Sequence, residues 1–281
     1  LRLKKKMGNA SNASSETELR GAIGWMVGAE GRGVPTIIEM VAMTRFDCMI
    51  GSSSIMRAAL VQAIDHCRQR AAFGRLLIDQ PIMTNVLADL ALETEAALTL
   101  TMRIARALDD RADESEANLI RIGSAIGKYW ICKRTPGVAA EAMECIGGSG
   151  VMEDGPMPRH FRESPVNAIW EGSGNVQCLD VLRAMVKSPE TLDAFLAEVE
   201  TAKGGNSTLD AHVADLREDM RNTEDFELRA RNLVDRLATG LQASLLVRHA
   251  PGFVADAFCA SRLAARGAHQ YGGLPKAENC H

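Results

Sequence analysis

At 281 residues, 46% hydrophobic and 24% charged, the chain is long enough to bury a large core and has the balance of a folded globular protein. Its net charge of -4 supplies no overall attraction to nucleic acid. No apolar run approaches the roughly 20 residues of a membrane span, and none reads as a signal peptide. Aromatics make up only 4% of the chain, while alanine, leucine and methionine abound, a bias toward helix over sheet.

In chain order, residues 1–33 carry the weakest helical pattern and predict loop or hairpin, with a strand over 22–27 ending at Gly28. Pro35 suits the first turn of a short helix to Met43. A longer helix is predicted from Thr44 to Ala72, weakened at Gly51 and three serines and stopped by Phe73-Gly74. A third helix runs from Pro81 to Asp109, and a fourth from Ser115 to Ile146, which Pro136 must kink or interrupt. A short turn around 159–162 follows, and then a helix capped by Asn175 that ends near Lys187. Polar helices are predicted over 190–202, 208–221, 224–247 and 252–265, with an irregular tail from Gly267. The fold expected is therefore all-α.

The seven cysteines are odd in number and form no C-x-x-C pair, which predicts reduced cytoplasmic thiols. The six histidines have no ligand spacing, so no metal is expected.

One stretch organises the chemistry. Trp170-Glu171-Gly172-Ser173-Gly174-Asn175 places an acidic residue beside an indole at the mouth of a helix. Gly172 and Gly174 let a ligand approach the backbone, and the first-turn N–H groups suit a phosphate or polar ring. Taken alone, this is as readily a capped helix with a surface carboxylate. Upstream stand Arg70-x-x-Phe73-Gly74 with Gln80, and then Glu144 ahead of Gly147-Gly148-Ser149-Gly150.

These blocks, in this order, resemble the C-terminal half of the acyl-CoA dehydrogenase family. The wording of residues 165–175 and of 32–41 resembles its AidB-type adaptive-response flavoprotein branch. The resemblance implies a boundary set of 1–33 as the end of a middle β-domain, 34–187 as the helical-bundle domain and 188–281 as an additional helical region. It implies FAD as cofactor, an acyl-CoA substrate and a homo-oligomer, dimer or tetramer. Glu171 corresponds to the base that takes the α-proton while a hydride leaves Cβ. Arg70 corresponds to a residue reaching the FAD pyrophosphate of a neighbouring subunit, for which a guanidinium is suited. Phe73, Gln80, Glu144, Gly147, Gly148, Trp170, Gly172, Ser173 and Asn175 fall at cofactor positions, and Arg45 at a coenzyme A position.

Three departures stand out. Trp170 replaces a more usual tyrosine, Glu144 a glutamine, and Ala42 an aspartate ahead of Thr44-Arg45. The segments holding the flavin ring in the family precede Leu1, so the resemblance implies a C-terminal portion that lacks turnover alone. The branch also implies a second class of function, weak duplex DNA binding through the C-terminal region. Residues 190–281 carry ten basic and fourteen acidic residues, which opposes that reading, although Arg229, Arg236 and Arg248, or Arg262 and Arg266, could form local basic faces. An assembly module ranks third.

Overall fold

A computed structural model describes residues 1–263. The chain is all-α, with two small hairpins. The strands β1 (Arg2–Leu3) and β2 (Ser15–Glu16) pair antiparallel, Arg2 opposite Glu16. This hairpin docks on α4 (Met157–Glu163). The Asn9 N–H donates to Glu163 Oε2 at 2.7 Å, and Gly8 lies so close to the Arg162 carbonyl that a Cβ would sit 2.2 Å from its oxygen. The strand predicted over 22–27 does not form. Ile23, Trp25, Met26 and Val27 are all exposed, and a lone strand without a neighbour has no ladder to complete.

The two helices predicted over 35–72 are one, α1 (Gly33–Gln69), 37 residues and about 55 Å long. No proline or capping residue separates them after Pro35. The weak point at Gly51 is used for packing: a Cβ there would lie 3.3 Å from Asn167 Nδ2, and Asn167 donates to Ser52 Oγ. Phe73-Gly74 is not the helix stop. It is the two-residue turn between β3 (Ala71–Ala72) and β4 (Arg75–Leu76), with positive φ at both positions (52° and 83°), as a type I′ hairpin requires.

The central element is α3 (Glu114–Ile146), which packs against α1, α2 (Pro81–Asp109), α5 (Gly174–Lys187), α6 (Pro189–Glu200) and α8 (Ala230–His249). Its residues 122–132 are buried on every side, including Tyr129 and Trp130. Gly123 and Gly127 permit this: Cβ atoms there would lie 2.8 Å from Ile104 Cδ1 and 2.4 Å from Met49 Cε. Pro136 does not interrupt the helix. Buried residues on both sides hold it, and the Thr135 hydroxyl donates to the Ile131 carbonyl at 2.7 Å in the turn where the proline removes a backbone donor.

The later helices share one hydrophobic core with the bundle, through Phe195, Leu209, Leu237 and Phe258 among others. Helix α8 starts at Ala230, later than predicted, and is buried nearly all round from Leu233 to Leu246 instead of presenting a polar face. Helices α7 (Ser207–Arg221) and α9 (Gly252–Arg262) complete the described chain. The irregular tail predicted from Gly267, together with Arg266 and Cys280, lies outside the described residues.

Acid should loosen this packing. Burial raises the carboxyls of Glu198 and Asp180, but hydrogen bonds and charge from Arg103 and Arg248, and from Arg121 and Arg45, outweigh it and hold both below their ordinary values of 4.5 and 3.8. Depressed folded-state values mean that their stabilisation is present above those ordinary values and is lost as pH falls through the folded ones. Denaturant midpoints are therefore expected to fall progressively below about pH 4.5, less so in a Glu198→Gln variant. An unchanged midpoint down to pH 3 would contradict this.

Candidate functional site

Glu171 lies in the short loop between a turn at Val166–Ala168 and α5. Its φ is 54°, left-handed backbone that costs a non-glycine residue about 1–3 kcal/mol and persists only where the surroundings impose it. The surroundings are specific. The Glu171 carbonyl accepts from Arg45 Nε at 3.3 Å and Gln177 Nε2 at 3.0 Å. The Gly172 carbonyl accepts from Lys128 Nζ at 2.7 Å and from the same Gln177 amide at 3.0 Å. Gly172 has φ 100°, and a Cβ there would lie 2.6 Å from Gln177 Nε2, so only glycine fits.

The Trp170 indole beside Glu171 is fixed in turn. Its Nε1 donates to Asn167 Oδ1 at 3.1 Å, and Asn167 is anchored on α1 through Ser52. The Glu171 side chain is half-buried, and its carboxylate accepts no hydrogen bond from the described residues. The loop thus grips the backbone and leaves the carboxylate available, as a general base requires.

Arg45 occupies the support of this loop. Its Nη1 donates to Asp180 at 2.7 Å, and Asp180 also accepts from Arg121 at 3.0 Å. The N-cap of α5 is Ser173, not Asn175, because the helix begins at Gly174. Asn175 Oδ1 instead accepts from Arg231 at 2.8 Å. No side chain caps α5, so its first N–H groups remain open to an acceptor.

A second group of expected residues gathers elsewhere. At the far end of α1, Arg70 lines a cleft of about 380 Å³ with Gln69, His66, Ile146 and Ser149. Arg70 is exposed and makes no ion pair among the described residues. Gly147 and Gly148 follow α3 with open space where their Cβ atoms would stand, and Glu144 is exposed in the last turn before them. Gln80 donates from Nε2 to the Ala72 carbonyl at 3.0 Å and so braces the hairpin. At its tip Phe73 is 97% exposed, which excludes a place in this chain's core.

The two groups are far apart. Arg45 and Arg70 stand 25 positions apart on and at the end of one helix, about 37 Å at 1.5 Å per residue.

The residues 31–186 match the family model for the acyl-CoA dehydrogenase C-terminal domain. The chain belongs to the acyl-CoA dehydrogenase family. It is 43% identical over 267 residues to the AidB protein of Escherichia coli (strain K12), covering 95% of this chain and 49% of that protein. It is 33% identical over 222 residues to acyl-CoA dehydrogenase family member 11 of Caenorhabditis elegans, 78% of this chain and 36% of the relative. The crystal structure of C. elegans ACDH-11 in complex with C11-CoA superposes with a TM-score of 0.85 at 27% identity, over 94% of this chain and 50% of that one. The chain thus spans about half the length of the AidB protein and of the ACDH-11 structure, and about a third of the family member 11 sequence.

Sequence reasoning missed Lys128, Gln177, Asn167 and Asp180. One signal was readable for Lys128: a lone lysine inside the run from Ser124 to Cys132, where a buried cation needs a partner. Of the arginines weighed for DNA, the four among the described residues are engaged. Arg229 pairs with Asp219, Arg236 with Asp215 and Asp219, Arg248 with Glu198, and Arg262 with Asp89 and Glu93. The buried thiols are poor nucleophiles, since burial pushes Cys132, Cys145 and Cys178 up to about 12.

Proposed function

We propose that this chain carries the proton-abstracting half of an FAD-dependent acyl-CoA dehydrogenase, an oxidoreductase that desaturates an acyl thioester across Cα–Cβ. The observation that carries the reading is Glu171: a half-buried carboxylate without a hydrogen-bond partner among the described residues, on a left-handed backbone gripped by Arg45, Gln177 and Lys128.

Several features suit FAD. The unpaired Arg70 and the open backbone of Gly147 and Gly148 would hold phosphate or ribose groups, and the uncapped start of α5 at Ser173 would receive a polar ring edge. When bound, FAD supplies the two-electron acceptor for the hydride that leaves Cβ. Glu171 takes the α-proton onto its carboxylate, and the indole of Trp170, held by Asn167, walls the same side and limits the bulk of the acyl chain. Arg45 is assigned to the support of Glu171, since its guanidinium is committed to Asp180 and the Glu171 carbonyl.

The separation of about 37 Å between the Glu171 end of α1 and Arg70 is more than one dinucleotide spans, so Arg70, Gly147, Gly148 and the exposed Phe73 are assigned to a cofactor centred on a second copy. Sedimentation should find a dimer or tetramer, and only monomer at micromolar concentration would count against this. The 281 residues alone are expected to hold FAD weakly and to show no turnover, so every flavin-loaded measurement is made on this chain joined to the flavin-holding half of a family member. The test of the function is anaerobic addition of a panel of acyl-CoAs to the flavin-loaded protein. Bleaching of the flavin band by at least one of them is expected, and no bleaching by any would overturn the reading.

A further inference from the structure

Lys128 is 1% exposed, in the middle of α3, yet among the described residues no carboxylate lies within ion-pairing distance of it. Its neighbours include the thiols of Cys48 and Cys132, and burial pushes its pKa down. A helix designed for packing alone would place leucine or methionine there, because burying an ammonium without an ion-pair partner opposes folding, even with the Glu171 charge acting on it from beyond ion-pairing distance. The ammonium makes one hydrogen bond to the described residues, 2.7 Å to the Gly172 carbonyl. That carbonyl belongs to the Gly172–Ser173 peptide, one peptide beyond the Glu171 carbonyl. Gln177, fully buried, places one amide nitrogen between this carbonyl and that of Glu171, at 3.0 Å from each.

We propose that Lys128 is a positioning residue for proton abstraction: together with Gln177 and Arg45 it grips two successive carbonyls and holds Glu171 in the left-handed backbone that leaves its carboxylate free. The inference rests on Glu171 being the base. Three donors from three helices converge on two successive peptide units. Arg45 comes from α1, Lys128 from α3 and Gln177 from α5, so the bundle sets the loop conformation together with the loop's own Gly172. The Lys128 bond to the Gly172 carbonyl is the shortest of these holds, 2.7 Å against 3.3 Å for the Arg45 guanidinium, and unlike the Gln177 amide it is charge-assisted. It also acts from a side chain buried in the core, where a hydrogen bond is electrostatically stronger than in water.

Lys128→Met keeps the length of the side chain and removes the donor. Two readouts separate positioning from general stability. The first is φ at residue 171 in a crystal structure of the variant chain, which needs no cofactor. The second is the acyl-CoA-driven reduction rate of the flavin-loaded protein, measured beside the acyl-CoA Kd. Residue 171 is expected to leave the left-handed region, and the reduction rate to fall about 100-fold while Kd stays within about threefold, since a displacement of 1 Å is enough for such a loss. Residue 171 remaining left-handed, or a reduction rate within threefold of the unaltered protein, would overturn the proposal. If Lys128→Met does not fold, Gln177→Met carries the same two readouts and is judged by the same outcomes. A Glu171→Gln protein reduced at the unaltered rate would place the failure with the base assignment, and the backbone readout would still decide the clamp.

Discussion

Glu171→Gln is expected to slow acyl-CoA-driven flavin reduction by at least about 100-fold and up to about 10,000-fold, the range a general base contributes. The amide has nearly the shape of the carboxylate but does not accept the α-proton. Because the carboxylate takes no hydrogen bond from the described residues, the substitution removes no structural contact. Melting temperature, flavin content and acyl-CoA affinity should therefore stay close to those of the unaltered protein. A loss confined to the reduction rate marks an interaction made only in the transition state. A loss of affinity with the rate preserved would assign Glu171 to substrate binding instead.

The largest expected effect on stability is at Arg103. Its guanidinium, 11% exposed, holds Glu116 through two bonds of 2.7 and 2.9 Å and Glu198 through two more of 2.9 Å. It therefore links α2, α3 and α6 at one point. Arg103→Met leaves two carboxylates partly buried, and Glu198 keeps only Arg248 as an ion-pair partner. Breaking a buried pair in this way costs about 3–5 kcal/mol, which should lower the melting temperature by roughly 10 °C. The loss should appear as one cooperative transition, since α6 and α8 share the core of the bundle. A separate early transition would mean that the helices beyond Ser188 unfold independently. A change of less than about 1 kcal/mol would show that the network is no more than surface charge.

The residues that could be read from the sequence are those whose role lies in their own neighbourhood. The start at Pro81 and the glycine stop at Gly147 are local signals, and both mark helix ends in the structure. Phe73-Gly74 shows the limit of such signals, because a glycine that can end a helix can equally turn a hairpin. Here the helix has ended at Gln69 and the pair carries the turn. The joined helix α1 fails for the opposite reason, and of the two outcomes expected at Pro136 the interruption does not occur. Local weakness was overridden by packing, with Asn167 seated over Gly51 and buried residues on both sides of the proline.

The site divides in the same way. Glu171 and its glycine were visible as a contiguous motif. The clamp was not, because Arg45 and Lys128 stand 126 and 44 positions from the carbonyls they hold. Only folding brings them together. Arg45, expected at coenzyme A, also bonds Asp180 and the backbone of Glu171, contacts that its position in the sequence does not reveal.

The most direct measurement is proton removal itself. An acyl-CoA carrying deuterium at Cα, incubated with the flavin-loaded protein under conditions that prevent net oxidation, reports abstraction as loss of label to water. The account predicts washout by the unaltered protein and washout slowed by at least about 100-fold in Glu171→Gln, with binding unchanged. Washout at the same rate in both would contradict it and would place the base at another residue.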